Sequence, residues 1–308
     1  MAPSFSVVIP SFNAGPYLRP AIESALAQTT PPMEIIVIDD GSTDGTIEVA
    51  RSFGPPVKVH CQSNHGQGAA RNVGMSLAQG DWIALLDHDD LWDPDKLEAQ
   101  AEAIRANPDA VVVYTDSRSL EGDRIVEILT APDPDRLPKV LQRQSPLTPA
   151  SVVFRKDIVI AEGGFSEVRG MLEDWDLWLR LIGRHRFVRI PRVLTTYRKS
   201  PKQVTQQPEK FLRVHMMCVD GTLLKGVKPP MRWIRRARLH SCFLADGAIM
   251  LREQGSASDL RWMLRSLAQW PVPTTWKDRR YKVLAHMLWK HAASLLGSVR
   301  YRPARPGG

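Results

Sequence analysis

Short β-branched runs alternate with apolar residues at helical spacing over the first two hundred positions. The segments "FSVVIP" (5–10), "EIIVID" (34–39), "VKVH" (57–60) and "DWIALLD" (81–87) read as strands, each closed by polar or turn residues. Between them Leu18, Ile22, Ala25 and Leu26 recur at i, i+4, i+7 and i+8, and Ala70, Val73 and Leu77 form another stripe. Asp44 is placed to N-cap "GTIEVARSF". Strand and helix alternating at this spacing predict right-handed βαβ units, hence an α/β fold with a Rossmann-like, mostly parallel sheet flanked by helices. Next come a helix over about 94–106, a strand at "AVVVYTD", and a Pro-rich stretch from 131 to 149 that reads as a loop or lid. "ASVVFRKDIVIAEGGF" reads as strand, helix and Gly-Gly stop, "EDWDLWLRLIG" as a short amphipathic helix, and "RFVRIPRVLTTYR" as one or two strands. Beyond residue 208 the pattern is helical, with Leu260, Met263, Leu264 and Leu267 on one stripe. The organisation expected is a sheet domain over 1–208 and a helical extension over 209–308.

In parallel sheets ligands bind at the carboxyl ends of the strands. The polar clusters "SFN", "DDGSTDGT" and "DHDD" all fall there. The last crowds Asp87, Asp89 and Asp90 into four positions behind an apolar strand. Two unit charges about 4 Å apart repel by roughly 4 kcal/mol at an effective dielectric near 20, so the cluster needs water, a cation or a cationic partner. In an extended strand end Asp87 and Asp89 point the same way, and two hard oxygen ligands suit Mg²⁺ or Mn²⁺ with water and substrate phosphates completing the shell. The competing reading is a turn, with Asp93 capping the helix that starts at "DPDKL". At the second cluster Asp40 can accept hydrogen bonds from a base or ribose, whereas Asp44 reads as a cap.

Gly66, Gly68 and Arg71 in "HGQGAARN" approximate a dinucleotide fingerprint, but the third glycine is absent and the segment follows the third strand, so no nicotinamide site is expected. Arg71 is instead a cation near the acids, able to balance carboxylates or grip a diphosphate. Glu173, Asp174 and Asp176 share one turn. Their repulsion raises pKa values toward those of a general base, and the competing reading is a helix start whose acids suit the dipole. Trp175 and Trp178 read as core.

Across 308 residues, 43% apolar and 24% charged describe a globular chain. "MAPSFSVVIP" lacks the basic region of a signal peptide, and the longest apolar runs fall short of the ~20 residues of a membrane-spanning helix. A soluble or peripheral, cytoplasmic protein is expected. Three cysteines, Cys61, Cys218 and Cys242, lack C-x-x-C spacing and read as packing residues in a reducing compartment. The net charge of +8 divides into −6 over residues 1–200 and +14 over 201–308.

Taken in order, "SVVIPSFN", "IDDGSTDGT", "GQGAARNVGMSLAQGDWIALLDHDD" and "EDWDLWLR" resemble the family-two glycosyltransferases with the A-type glycosyltransferase fold. The resemblance covers about residues 4–205. It implies an inverting, metal-dependent transferase that uses a nucleotide sugar, UDP-linked, and Mg²⁺ or Mn²⁺. By position, Pro10 and Phe12 would line the nucleobase pocket, Asp40 would hydrogen-bond uracil, and Arg71 would lie near the nucleotide. Asp89 would be the principal metal ligand, Asp87 would lie near the ribose and metal waters, and Asp174 would be the base that deprotonates the acceptor hydroxyl. One departure stands out. The family often continues Y-R-x-H, whereas this chain reads Tyr197-Arg198-Lys199-Ser200. Serine does not replace imidazole as a ligand, so Lys199 or Lys202 is a candidate to neutralise the diphosphate.

A sugar nucleotidyltransferase would need a glycine-rich, basic loop after the first strand, which "IPSFNAGPY" does not supply. A non-catalytic carbohydrate- or membrane-associated scaffold would be expected to lose the acids, yet Asp40, Asp87, Asp89 and Asp174 are present. The expected acceptor is a carbohydrate or a lipid-linked sugar, as in polysaccharide and cell-envelope synthesis. The +14 tail holds five of the nine tryptophans, Trp233, Trp262, Trp270, Trp276 and Trp289. It reads as a helical subdomain, as a peripheral contact with an anionic membrane, or both. It has no nucleic-acid-binding motif, so no nucleic-acid partner is expected.

Overall fold

Phe5–Ser11 is buried at every position, as expected of a strand with helices over both faces, and it forms β1 near the centre of the sheet. The computed structural model describes residues 2–168, 172–199, 207–256, 258–271, 280 and 283–288. The chain divides into two compact units, Met1–Ser200 and Pro201–Gly308.

In the first unit β1 is followed by α1 (Leu18–Leu26), β2 (Glu34–Asp39), α2 (Thr46–Arg51), β3 (Val57–Cys61), α3 (Gln67–Leu77) and β4 (Trp82–Leu85). Then come β5 (Leu91–Trp92), α4 (Lys96–Ala106), β6 (Ala110–Glu121), β7 (Arg124–Leu129), α5 (Leu137–Leu141), β8 (Val152–Arg155), α6 (Lys156–Ala161), α7 (Glu173–Leu181) and β9 (Arg186–Arg198). The sheet order is β3-β2-β1-β4-β8-β6-β9-β5, with β7 paired to β6. The first four strands are parallel, β8 enters antiparallel between β4 and β6, and β6 and β9 are parallel again. Two reversals return β6 to the direction of β1. Its second half therefore rises on the same edge as the tips of β1, β2 and β4.

The α/β architecture is the one the apolar pattern predicts, and Trp175 and Trp178 are fully buried core residues. Several local expectations change. Residues 131–149 are not wholly irregular: they contain α5, and Leu137, Leu141 and Leu147 are buried. Trp175 Nε1 donates to Leu141 O at 2.8 Å, fastening α5 to α7. The run 186–198, by contrast, is a single strand, within the one or two expected, and its register against β6 shifts around Pro191, which cannot donate to the ladder. Cys61 is exposed, whereas Cys218 and Cys242 are buried.

The second unit contains α8 (Pro208–Cys218), α9 (Met231–Glu253) and α10 (Asp259–Gln269). Leu244, Ala245, Ala248, Trp262, Met263 and Met287 form its apolar core. A Cβ at Gly247 would lie 2.5 Å from Trp262 Cζ3, so glycine lets α9 and α10 approach. Among the described residues no helix is long and apolar enough to cross a membrane.

Candidate active site

The first two polar clusters are stitched together. Asn13 N donates to Ser42 Oγ at 2.9 Å, and Thr43 N donates to Asn13 Oδ1 at 2.9 Å. Asn13 has φ +48°, a left-handed conformation that asparagine tolerates. Asp44 is not the N-cap of α2, which is Gly45; from one position earlier its carboxylate accepts from Thr46 N at 3.0 Å and Gly15 N at 3.2 Å. Phe12, just beyond β1, is 46% exposed, an apolar face at the carboxyl edge of the sheet.

Asp40 is buried and accepts three hydrogen bonds, from Gln62 Nε2 (2.8 Å), His65 N (2.9 Å) and Gly66 N (2.8 Å). It therefore fixes the loop leading into α3. Gly66 has φ +94°, and a Cβ on Gly68 would sit 2.1 Å from Ser166 O. The glycines of "HGQG" thus serve a turn and a close helix approach, which accounts for the broken fingerprint. The neighbouring Asp39 is buried, and its Oδ1 has no hydrogen-bond partner among the described residues. Sequence reasoning passed over Asp39, although a second carboxylate at a strand tip was a signal for it.

Arg71 on α3 joins the remaining acids. Wholly buried, it donates from Nη2 to Asp87 Oδ1 at 2.7 Å and from Nη1 to Glu173 Oε1 at 2.5 Å, and its guanidinium lies 5.4 Å from the Phe165 ring centre. Burial works against the Arg71 charge, but Asp87, Glu173 and Asp174 outweigh it and keep the guanidinium more firmly protonated than in water. Gln67 Nε2 adds a 3.1 Å bond to Asp87 Oδ1. Burial raises Glu173 to about 7, against the pull of Arg71 and with a further push from Asp174. Burial also raises Asp174, again offset by Arg71, and Ser145 Oγ donates to Asp174 Oδ2 at 3.3 Å. Three carboxylates thus face one buried cation. When all are ionised the cluster carries a surplus of negative charge, which a proton or a bound cation relieves.

The "DHDD" segment corrects one expectation. β4 ends at Leu85, and Asp90 N donates to Asp87 O at 3.0 Å, so the acids lie in a turn and not along an extended strand. The period-two argument for Asp87 and Asp89 therefore does not hold. The tight turn is imposed because β5 must pair antiparallel with β9 six residues after β4 ends. Asp87 and Asp89 remain half-buried, whereas Asp90 turns inward and accepts from Arg198 N at 3.1 Å. Burial pushes Asp90 well above the usual carboxylate range, with Asp89 and Asp87 adding to the effect. His88 Nδ1 lies 3.3 Å from Pro10 O, linking the turn to β1. Asp93 does not cap α4 with its side chain. Its carboxylate is taken by Arg118, and its main-chain carbonyl accepts from Lys96 N at 3.1 Å.

The structure thus brings Arg71, Asp87, Glu173 and Asp174 together, with Asp89 in the same turn as Asp87, and it places Pro10, Phe12 and Asp40 at the tips of β1 and β2 on that edge. Ser200 and Lys202 lie outside the described residues, as do Trp276 and Trp289. Lys199 Nζ is 3.7 Å from Glu127. Among the described residues no three acidic, histidine or cysteine side chains converge as a complete metal cage.

The family model for glycosyl transferase family 2 matches residues 6–159, which include the β1 and β2 tips, Arg71 and the acidic turn. The chain belongs to glycosyl transferase family 2. An uncharacterized glycosyltransferase of Rickettsia typhi is 30% identical over 268 residues, 82% of this chain and 81% of that protein. Among solved structures, S. aureus TarS (1–349) in complex with UDP-GlcNAc superposes with a TM-score of 0.62 at 18% identity, covering 97% of this chain and 93% of that one. A mannosyltransferase from Pyrobaculum calidifontis, in complex with GDP-Man and Mn²⁺, gives 0.58 at 17% identity, covering 97% and 89%. The two structures agree with the fold. Family membership makes this chain a glycosyltransferase.

Proposed function

We propose that this family-2 glycosyltransferase moves a sugar from a UDP-linked donor to an acceptor hydroxyl with inversion, using Asp174 as the base. The observation that carries this reading is the pairing of Arg71 with both Asp87 and Glu173. It holds the acidic turn of β4 beside the start of α7, although Arg71 and Glu173 are 102 residues apart. Donor and acceptor chemistry need such a juxtaposition.

Phe12 offers a stacking face and Pro10 a wall for the nucleobase. Asp40 shapes the pocket through the three N–H groups it already accepts, and the orphaned Oδ1 of Asp39 is an acceptor for a base N–H. Arg71 serves the nucleotide through Asp87 instead of touching it, since the side chain is wholly buried and its Nη1 and Nη2 hold Glu173 and Asp87. Asp89, in the same turn as Asp87, would hold Mg²⁺ or Mn²⁺ with it. A pair of carboxylates fits such an ion, because these metals commonly take one or two protein carboxylates and fill the other positions with water and phosphate oxygens. A divalent ion bound there supplies Lewis-acid stabilisation of the leaving diphosphate. The complexes of TarS with UDP-GlcNAc and of the Pyrobaculum enzyme with GDP-Man and Mn²⁺ support a nucleotide-sugar donor and a metal.

Asp174 takes the proton of the acceptor hydroxyl as its oxygen attacks the anomeric carbon. The bond to the diphosphate breaks on the opposite face, so one displacement inverts the centre. Burial that raises Asp174 makes it a stronger base than a solvated aspartate. The acceptor is a carbohydrate or lipid-linked sugar hydroxyl, and a cytoplasmic enzyme of cell-envelope polysaccharide synthesis fits that chemistry. A panel of nucleotide sugars, scored for hydrolysis with and without EDTA, tests the reading. A UDP sugar should be consumed in a metal-dependent way. Turnover of none of the panel, with no thermal stabilisation by any nucleotide, would refute it.

A further inference from the structure

Among the described residues of the second unit, the start of α9 presents exposed apolar side chains. Met231, Trp233 and Ile234 lie in its first turn and are 48%, 67% and 42% exposed. Later in the helix Ser241, Cys242, Phe243, Leu244 and Ala245 are buried. The tip is therefore apolar without being part of the core. From residue 225 to 238 the chain carries six lysines and arginines and no acid. Lys225, Lys228 and Arg235 are exposed and Arg232 is half-buried. Arg236 is used internally: its Nε and Nη2 donate to Asp220 at 2.8 and 2.9 Å, which fixes the helix start against the preceding turn. The tip is thus held in place, and the positive end of the α9 dipole adds to its charge.

Two features call for a partner, and both fall at the start of α9. Exposed Trp, Ile and Met side chains in one helical turn favour an apolar contact, and the neighbouring cations favour an anionic one. Nucleic acid would satisfy only the charge, and an apolar protein groove only the side chains. An anionic lipid surface satisfies both. We propose that the tip of α9 docks this chain onto anionic lipid headgroups. Trp233 occupies the headgroup zone, Met231 and Ile234 reach the acyl boundary, and Lys225, Lys228, Arg232 and Arg235 face lipid phosphates. This docking is independent of the transfer chemistry, whose groups all lie in the first unit.

The test is co-sedimentation of the full chain with vesicles containing phosphatidylglycerol or only phosphatidylcholine, at low and high salt. The parent chain should pellet with the anionic vesicles at low salt and be released at high salt. R232Q/R235Q should weaken partitioning by about fivefold per cation. M231S/W233S/I234S should weaken it by about tenfold or more, because two buried aliphatic side chains are lost. Both variants should keep the parent melting temperature, since the altered side chains are largely exposed. Absence of anionic-vesicle binding at low salt would overturn the proposal. So would anionic-vesicle binding that the apolar triple variant leaves unchanged.

Discussion

Removing the Arg71 guanidinium tests the acid cluster most deeply, because the variant Arg71→Met keeps an unbranched apolar stem and removes the guanidinium with its charge and hydrogen bonds. Arg71 is wholly buried and holds two carboxylates, Asp87 at 2.7 Å and Glu173 at 2.5 Å. Removing one partner from a buried pair costs about 3–5 kcal/mol, since the other charge is left uncompensated. For a unit of this size that loss lowers the melting temperature by roughly 10 °C. The pH dependence makes the test specific. Glu173 is already raised to about 7 and Asp174 is raised as well, chiefly by burial, while Arg71 holds both down. Without Arg71 both rise further. A group whose folded pKa lies above its unfolded value contributes stability that is complete below the unfolded value and lost as pH rises through the folded one. The variant should therefore lie close to the parent at pH values near the ordinary glutamate pKa of 4.5 and fall furthest behind above about 7. Urea unfolding of parent and variant on both sides of this window measures the difference. Arg71→Lys should fall between them, because one ammonium does not reproduce the two-pronged contact. A deficit equal at both pH values, or one below about 1 kcal/mol, would refute the idea that Arg71 is there to hold the acids.

The same shifts predict the pH profile of transfer. A base must be deprotonated, so kcat/KM should rise with pH along a limb displaced above the ordinary aspartate range, owing to the coupled Glu173 and Asp174 pair; a limb at the range of free aspartate would remove the buried pair from the rate. Asp89→Ala should abolish the effect of Mn²⁺ or Mg²⁺ on UDP binding, measured by calorimetry with and without metal. A persisting metal effect would assign the ion to other ligands.

The sheet was legible because β-branched runs and helical stripes alternate over residues 5–87, a pattern that depends on local periodicity alone. The polar clusters at the ends of β1, β2 and β4 were legible too, because a parallel sheet brings such ends to one edge. The partners of those residues were not legible. Nothing within "GQGAARN" indicates that Arg71 bonds Glu173, because that contact spans 102 residues and depends on how α3 and α7 pack. The turn at "DHDD" was misjudged for a similar reason. β4 is only four residues long, and the antiparallel pairing of β5 with β9 bends the chain where an isolated strand would have continued. Asp93 was assigned to a cap because helix starts favour such residues, yet Arg118 from β6 claims its carboxylate. Local propensity gave way to a distant charge.

The account rests on Asp174 as the base beside a donor held at the acidic turn, and the Asp174→Asn variant examines it directly. The substitution preserves size and removes the proton acceptor. UDP binding, followed by calorimetry in the presence of Mn²⁺, should change by less than about threefold, while turnover of the donor should fall by about 10² or more. Unchanged turnover with intact UDP binding would contradict the account.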